Sequence, residues 1–115
     1  MRTIVAGSRH FQDARLLSAP LESLPPHRFP STVLCGGATG ADTLGKKWAI
    51  EHNIPVEYYP AHWSVYGKSA GPRRNRAMAE NARQLVLFWN GMSPGSASML
   101  RIARELELQI VECRI

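Results

Sequence analysis

Ser31-Thr32-Val33-Leu34-Cys35-Gly36-Gly37-Ala38-Thr39-Gly40-Ala41-Asp42 is the stretch whose reading decides the architecture of this chain. A short β-branched run gives way to three glycines and then to a helical pattern over Ala41 to Glu51, so the segment reads as a strand turning directly into a helix. Without a Cβ, glycine lets backbone N–H groups close on a ligand and adopts positive φ freely. At a helix N-terminus those donors and the helix dipole together attract phosphate. Taken alone, such a turn serves equally well as a tight corner. Two further loops of the same kind, Gly7-Ser8-Arg9 and Asn90-Gly91-Met92-Ser93-Pro94-Gly95-Ser96, shift the balance toward binding.

Outward from that turn, the chain alternates. Thr3 to Ala6 forms a first strand that stops at Gly7-Ser8-Arg9, and Leu16, Leu17, Leu21 and Leu24 fall at helical spacing behind a capping Asp13. Pro25-Pro26 ends that helix. In the second helix Leu44, Trp48 and Ala49 share a face, with Trp48 expected in the core. Ile54 to Tyr59 reads as a third strand with Pro55 tolerable at its start. An irregular polar and aromatic stretch, Ala61 to Gly71, follows, and Pro72 fits the first turn of a helix running to about Ala82. Leu85-Val86-Leu87-Phe88-Trp89 is continuously apolar, as expected of a strand covered on both faces. Met99, Leu100, Ile102, Ala103 and Leu106 mark a last helix, and Leu108 to Cys113 a fifth strand.

This order predicts an α/β fold with one five-stranded parallel sheet between helices on both faces. Right-handed crossovers restrict the strand order, expected as 3-2-1-4-5. Ligands of such sheets lie beyond the carboxyl ends of the strands, where the order reverses between strands one and four. The first and third glycine loops flank that crevice, and the second sits one strand away.

The bulk properties agree with one domain over residues 1–115: 44% of the chain is hydrophobic and 20% charged, enough for a core without staples. No apolar run approaches the roughly 20 residues a bilayer span needs, and the start is too soon interrupted for a signal peptide, so a cytoplasmic location and no membrane partner are expected. Cys35 and Cys113 end strands that are not neighbours in the expected sheet, which makes buried free thiols the default and leaves no zinc-ligand spacing. His10, His27 and His52 are scattered without metal-ligand spacing, so neither metal nor cofactor is expected. The formal charge is +5, and Lys68, Arg73, Arg74, Arg76 and Arg83 face only Glu80 between Gly67 and Arg83. That concentration points to an anionic partner, against the commoner reading of a solvated helix face.

Gly7-Ser8-Arg9, Gly36 to Asp42, Pro60-Ala61-His62-Trp63, Tyr66-Gly67, Ala70-Gly71-Pro72-Arg73-Arg74-Asn75 and Gly91 to Ser96 together give the chain a resemblance to the SLOG superfamily. Within it, the chain resembles the small YspA-like group of bacteria and phages, nearly end to end. The resemblance implies a Rossmann-like three-layer domain holding a nucleotide or nucleotide-derived small molecule at the loop crevice. Carried over by residue, Gly7, Ser8 and Arg9 would line the first-strand side, and Gly36, Gly37, Ala38, Gly40 and Asp42 the second. Arg74 would clamp a phosphate bidentately, Asn75 would read a sugar or base edge, and Gly91, Ser93, Gly95 and Ser96 would supply the last phosphate-facing loop. Asp42 serves equally as a helix-start carboxylate on backbone N–H groups.

The enzymatic LOG members carry a Pro-Gly-Gly-x-Gly-Thr loop leading into a catalytic Glu. Here the loop reads Pro94-Gly95-Ser96-Ala97-Ser98-Met99 with no carboxylate close behind, so the resemblance assigns no catalytic residue. Trp63 and Tyr66 either pack their loop onto the sheet or stack on a base. Three functions follow in order: a binding module that senses or sequesters the nucleotide-like ligand; an enzyme acting on it through Asp42 or His62; and a binder of single-stranded DNA, which the Smf/DprA relationship and the basic stretch both permit. A homo-oligomer is a further expectation, since small Rossmann-like domains often complete their sites by pairing.

Overall fold

The computed structural model describes residues 1–115. Its sheet contains β1 (Arg2–Gly7), β2 (Thr32–Cys35), β3 (Val56–Tyr58), β4 (Gln84–Trp89) and β5 (Gln109–Arg114), all parallel, in the order β3-β2-β1-β4-β5. The helices are α1 (Ala14–Glu22), α2 (Ala41–Glu51), α3 (Trp63–Tyr66), α4 (Ala70–Glu80) and α5 (Pro94–Glu105). None is long and apolar enough to cross a membrane.

Two cores explain why the central strands are apolar without interruption. Strand side chains alternate between faces. Ile4, Leu34, Leu85, Leu87 and Trp89 point to the side covered by α4 and α5, where they meet Met78, Ala79, Met99, Leu100, Ile102 and Ala103. Val5, Val33, Val86 and Phe88 point to the other side, where Leu17, Leu21, Ala41, Trp48 and Ala49 of α1 and α2 cover them. Every residue of β4 is buried. Each buried aliphatic or aromatic side chain contributes about 1.5–3 kcal/mol, so the sheet's centre carries most of the hydrophobic stabilisation.

The expected elements are present with some shifts. Asp13 caps α1, accepting from the N–H groups of Arg15 and Leu16 at 3.0 and 3.1 Å. Leu16 departs from the expected apolar face: it is 55% exposed, because only Leu17 and Leu21 turn toward the sheet. Pro20 lies inside α1 and, lacking an N–H, cannot donate to the Leu16 carbonyl one turn before it. Residues 61–71, read as irregular, instead form α3 and a turn of 3₁₀ helix over Gly67–Ser69, and α4 begins at Ala70, two residues ahead of Pro72. Proline is tolerated there because first-turn N–H groups have no intrahelical acceptor. Both cysteines are free; Cys35 is buried, whereas Cys113 is only half-buried because β5 forms the sheet edge.

Helices α1 and α2 lie on one face and α4 and α5 on the other, so the winding reverses between β1 and β4. The loops leaving those two strands must diverge at that point, and a cleft opens there.

Candidate functional site

Backbone hydrogen bonds stitch the first two glycine loops together before any side chain is considered. The Ser8 N–H donates to the Phe88 carbonyl at 2.8 Å, tying the end of β1 to β4. The Ser8 carbonyl accepts from Phe11 and from Ala41, the first residue of α2, at 3.3 and 3.1 Å. Thr39 Oγ1 donates to the Arg9 carbonyl at 3.2 Å, and Thr43 Oγ1 to the Ala38 carbonyl at 3.0 Å. Gly40, at φ +78°, makes the turn into α2; a Cβ there would meet the backbone of Ser8 and Arg9.

Asp42, in the first turn of α2 and 6% exposed, holds the second loop from beneath. Its Oδ2 accepts from the Gly36 and Ala38 N–H groups at 3.2 and 3.3 Å. Arg74 of α4 holds the same loop from the side. Its Nη1 donates to the Gly36 carbonyl at 2.6 Å, and its Nε to Asn75 Oδ1 at 2.9 Å. Two of the guanidinium's donors are thus committed to protein, while its Nη2 group makes no hydrogen bond within the chain.

The third loop leads into α5. Asn90 Oδ1 accepts from the Met92 N–H at 2.9 Å, and the first intrahelical bond of α5 runs from Ala97 to Ser93 at 2.9 Å. Pro94 has no N–H, and Ser93 caps the helix without a side-chain hydrogen bond. The N–H groups of Gly95 and Ser96 thus have no acceptor in the protein. These are the donors that helix geometry leaves for an external anion.

All of this borders one cleft of about 710 Å³. Of the residues expected at a site, Gly7, Ser8, Arg9, Ala38, Asp42, Trp63, Arg74, Asn75, Ser93, Gly95 and Ser96 line it. Gly36, Gly37, Gly40 and Gly91 do not. Their small size accommodates neighbours instead: Arg74 over Gly36, Tyr58 over Gly37, the Ser8–Arg9 backbone over Gly40, and Arg114 over Gly91. His62 also lies outside, bordering a separate hollow with Tyr59, Tyr66 and Arg73. Met78, Ser98 and Met99 complete the floor without any sequence signal of their own, since helical spacing marks the methionines only as core.

Three of the lining side chains are more than nine-tenths buried yet keep a polar atom unpaired toward the cleft. Asn75, 7% exposed, uses its Oδ1 on Arg74 while its Nδ2 meets no acceptor in the protein. Asp42 has a second oxygen, Oδ1, with no donor, and Ser96, 4% exposed, has a hydroxyl without a partner. Ser98 Oγ beside them is buried and unpaired. Buried polar groups are normally satisfied, because stranding one costs about 1–3 kcal/mol. Ser98 Oγ is such a stranded atom at the cleft, whereas the unpaired atoms of Asp42, Asn75 and Ser96 still reach solvent there and stand free to meet polar atoms from outside the chain.

Burial sets the chemistry of Asp42. It pushes the carboxyl up from 3.8 to about 6, outweighing the opposing effects of the Ala38 N–H, the Arg74 charge and the Gly36 N–H. Between about pH 4 and 6 the folded protein therefore keeps a proton that the unfolded chain has released, so this group makes stability fall as pH rises through that window and leaves it flat above. The shift corresponds to roughly 3 kcal/mol. Asp42→Asn should remove that contribution while keeping an acceptor for the loop. Urea unfolding of both proteins from pH 4 to 7 would show the difference between them changing by that order, and a constant difference would refute the assignment.

The sequence model of the YspA, cpYpsA-related SLOG family (YAcAr) matches residues 1–66, more than half of the chain. The chain belongs to this family. Among its relatives, the Gene 61 protein of Mycobacterium phage D29 is 29% identical over 117 residues, spanning 96% of this chain and 94% of its own. Among solved structures, DNA processing protein A (DprA) from Streptococcus pneumoniae superposes with a TM-score of 0.76 at 18% identity over 96% of this chain. The chain spans about half of that DprA chain, 49%, and at this identity the likeness concerns the fold. The family match reaches the first two glycine loops and Trp63; α4 and the α5 loop lie beyond it.

Proposed function

We propose that the cleft binds a nucleotide or a nucleotide-derived small molecule, with a phosphate against the first turn of α5 and the polar remainder over Asp42 and Asn75. One observation carries the reading: unpaired N–H donors of Gly95 and Ser96 share a cavity with unpaired polar atoms of the nearly buried residues Asp42, Asn75 and Ser96. The first set suits an anion. The second offers an acceptor and a donor to hydroxyl or amide groups, as a sugar or base edge requires. The cavity volume falls within the range of small-molecule sites. Membership of the SLOG family supports the same class of ligand.

Turnover is the second reading, favoured by Asp42, a carboxyl in the cleft that titrates near neutrality as an acid–base group should. Single-stranded nucleic acid has weaker support, because the basic stretch does not form a continuous track. Arg76 pairs with Glu105 at 2.8 Å, Arg73 lies over the Tyr66 ring at 4.3 Å, and Arg74 turns inward.

Thermal melting of the purified protein with a panel of nucleoside mono-, di- and triphosphates, followed by product analysis, separates these readings. Binding raises the melting temperature in proportion to the logarithm of ligand concentration. A shift without products is the expected result, a cleaved product would establish an enzyme, and no shift with any member would refute the reading. Affinity for an oligonucleotide falling steeply with salt would instead favour nucleic acid.

A further inference from the structure

We infer that Trp63 is the platform on which the ligand's base stacks, and hence the residue that selects a base-bearing ligand over a bare sugar phosphate; the inference rests on the binding reading above. Trp63 is the single Trp, Tyr or Phe side chain lining the cleft. It opens α3 and remains 58% exposed, whereas Trp48 and Trp89 are buried at 4% and 6%. The ring thus offers the cleft an uncovered aromatic face, which a planar partner would cover.

The ring is seated. Gly71, buried in the first turn of α4, leaves room for it: a Cβ at that position would lie 3.2 Å from Trp63 Cη2 and push the indole outward. The seat comes from the same helix that supplies Asn75, so the platform and the unpaired Nδ2 belong to one wall, while the free N–H groups of Gly95 and Ser96 belong to another. A base on Trp63 with its phosphate at α5 spans the cleft between them. The neighbouring aromatics are committed elsewhere: Tyr66 carries Arg73 on its face, and Tyr58 covers Gly37.

The test compares the four ribonucleoside 5′-monophosphates with ribose 5-phosphate by calorimetric titration. The wild-type chain should bind at least one nucleotide more tightly than ribose 5-phosphate. Trp63→Ala should cut that preference roughly 5- to 150-fold, the range expected when a stacking aromatic is removed, and Trp63→Phe should restore part of it. Stacking should also quench the tryptophan emission of the wild-type protein, a signal that Trp63→Phe loses while still binding. Equal affinity for ribose 5-phosphate and every nucleotide, or an unchanged preference in Trp63→Ala, overturns the inference alone. No binding of any of the five probes overturns the nucleotide reading and this inference with it.

Discussion

Gly95→Asp should leave the fold at least as stable as before and strongly weaken phosphate binding. Gly95 is the second residue of α5, and a side chain there would enter open space. The first turn of α5 contains no acidic residue, so the new carboxylate complements the helix dipole and contributes about 0.3–1 kcal/mol. Replacing glycine within a helix adds to the same side of the balance. At the mouth of the anion site the sign reverses. Two unit charges about 4 Å apart repel by roughly 4 kcal/mol at an effective dielectric of 20, so the affinity for a nucleoside phosphate should drop by about two orders of magnitude or more. Gly95→Ala, equally free of clash, separates charge from bulk and should bind nearly as the wild type does. Calorimetric titration alongside urea unfolding measures both halves. Undiminished affinity in Gly95→Asp would mean that the phosphate does not sit at α5.

The largest loss of stability should come from Gly7→Ala. Gly7 ends β1 at φ +153°, and a Cβ on it would run into the carbonyl group and amide of Phe88. Neither strand can retreat. The Phe88 carbonyl already accepts from Ser8, its ring is fully buried and stacks on Phe11 with centroids 5.5 Å apart, and β4 is paired on both sides. Strain and overpacking together should cost about 3 kcal/mol or more, a large share of the 5–15 kcal/mol that holds a typical domain. Gly67→Ala provides the comparison. Its φ of +55° is also positive, but a Cβ there meets nothing, so only the conformational cost of about 1–3 kcal/mol remains. The urea midpoint of Gly7→Ala should therefore be the lower of the two. Similar midpoints would mean that the β1–β4 contact at Gly7 is not close.

The arrangement of the sheet was legible because it rests on local patterns. Leu85 to Trp89 had to be covered on both faces, and β1 to β5 had to alternate with helices, so a reversal between β1 and β4 followed. The position of the cleft came with it, whereas the expectation that Ser8, Asp42, Asn75 and Ser96 border it came from the resemblance to the SLOG superfamily. The same patterns hid α3: its four residues are too few to display a period, and the polar and aromatic sequence around them reads as a loop.

Side-chain direction was another matter. Gly36, Gly37, Gly40 and Gly91 read as phosphate cradles, and each instead makes room for a neighbour far away in the sequence, such as Tyr58, Arg74 or Arg114. Arg74 read as a clamp for a ligand, and two of its donors turn out to brace the Gly36 loop and Asn75. Periodicity and turn chemistry, both set by residues a few positions apart, determine which elements form and in what order a parallel sheet must take them. Which polar atoms remain unpaired at the cleft, and which donors are already spent, depends on contacts between residues far apart in sequence, and those exist only once the helices have packed on the two faces of the sheet.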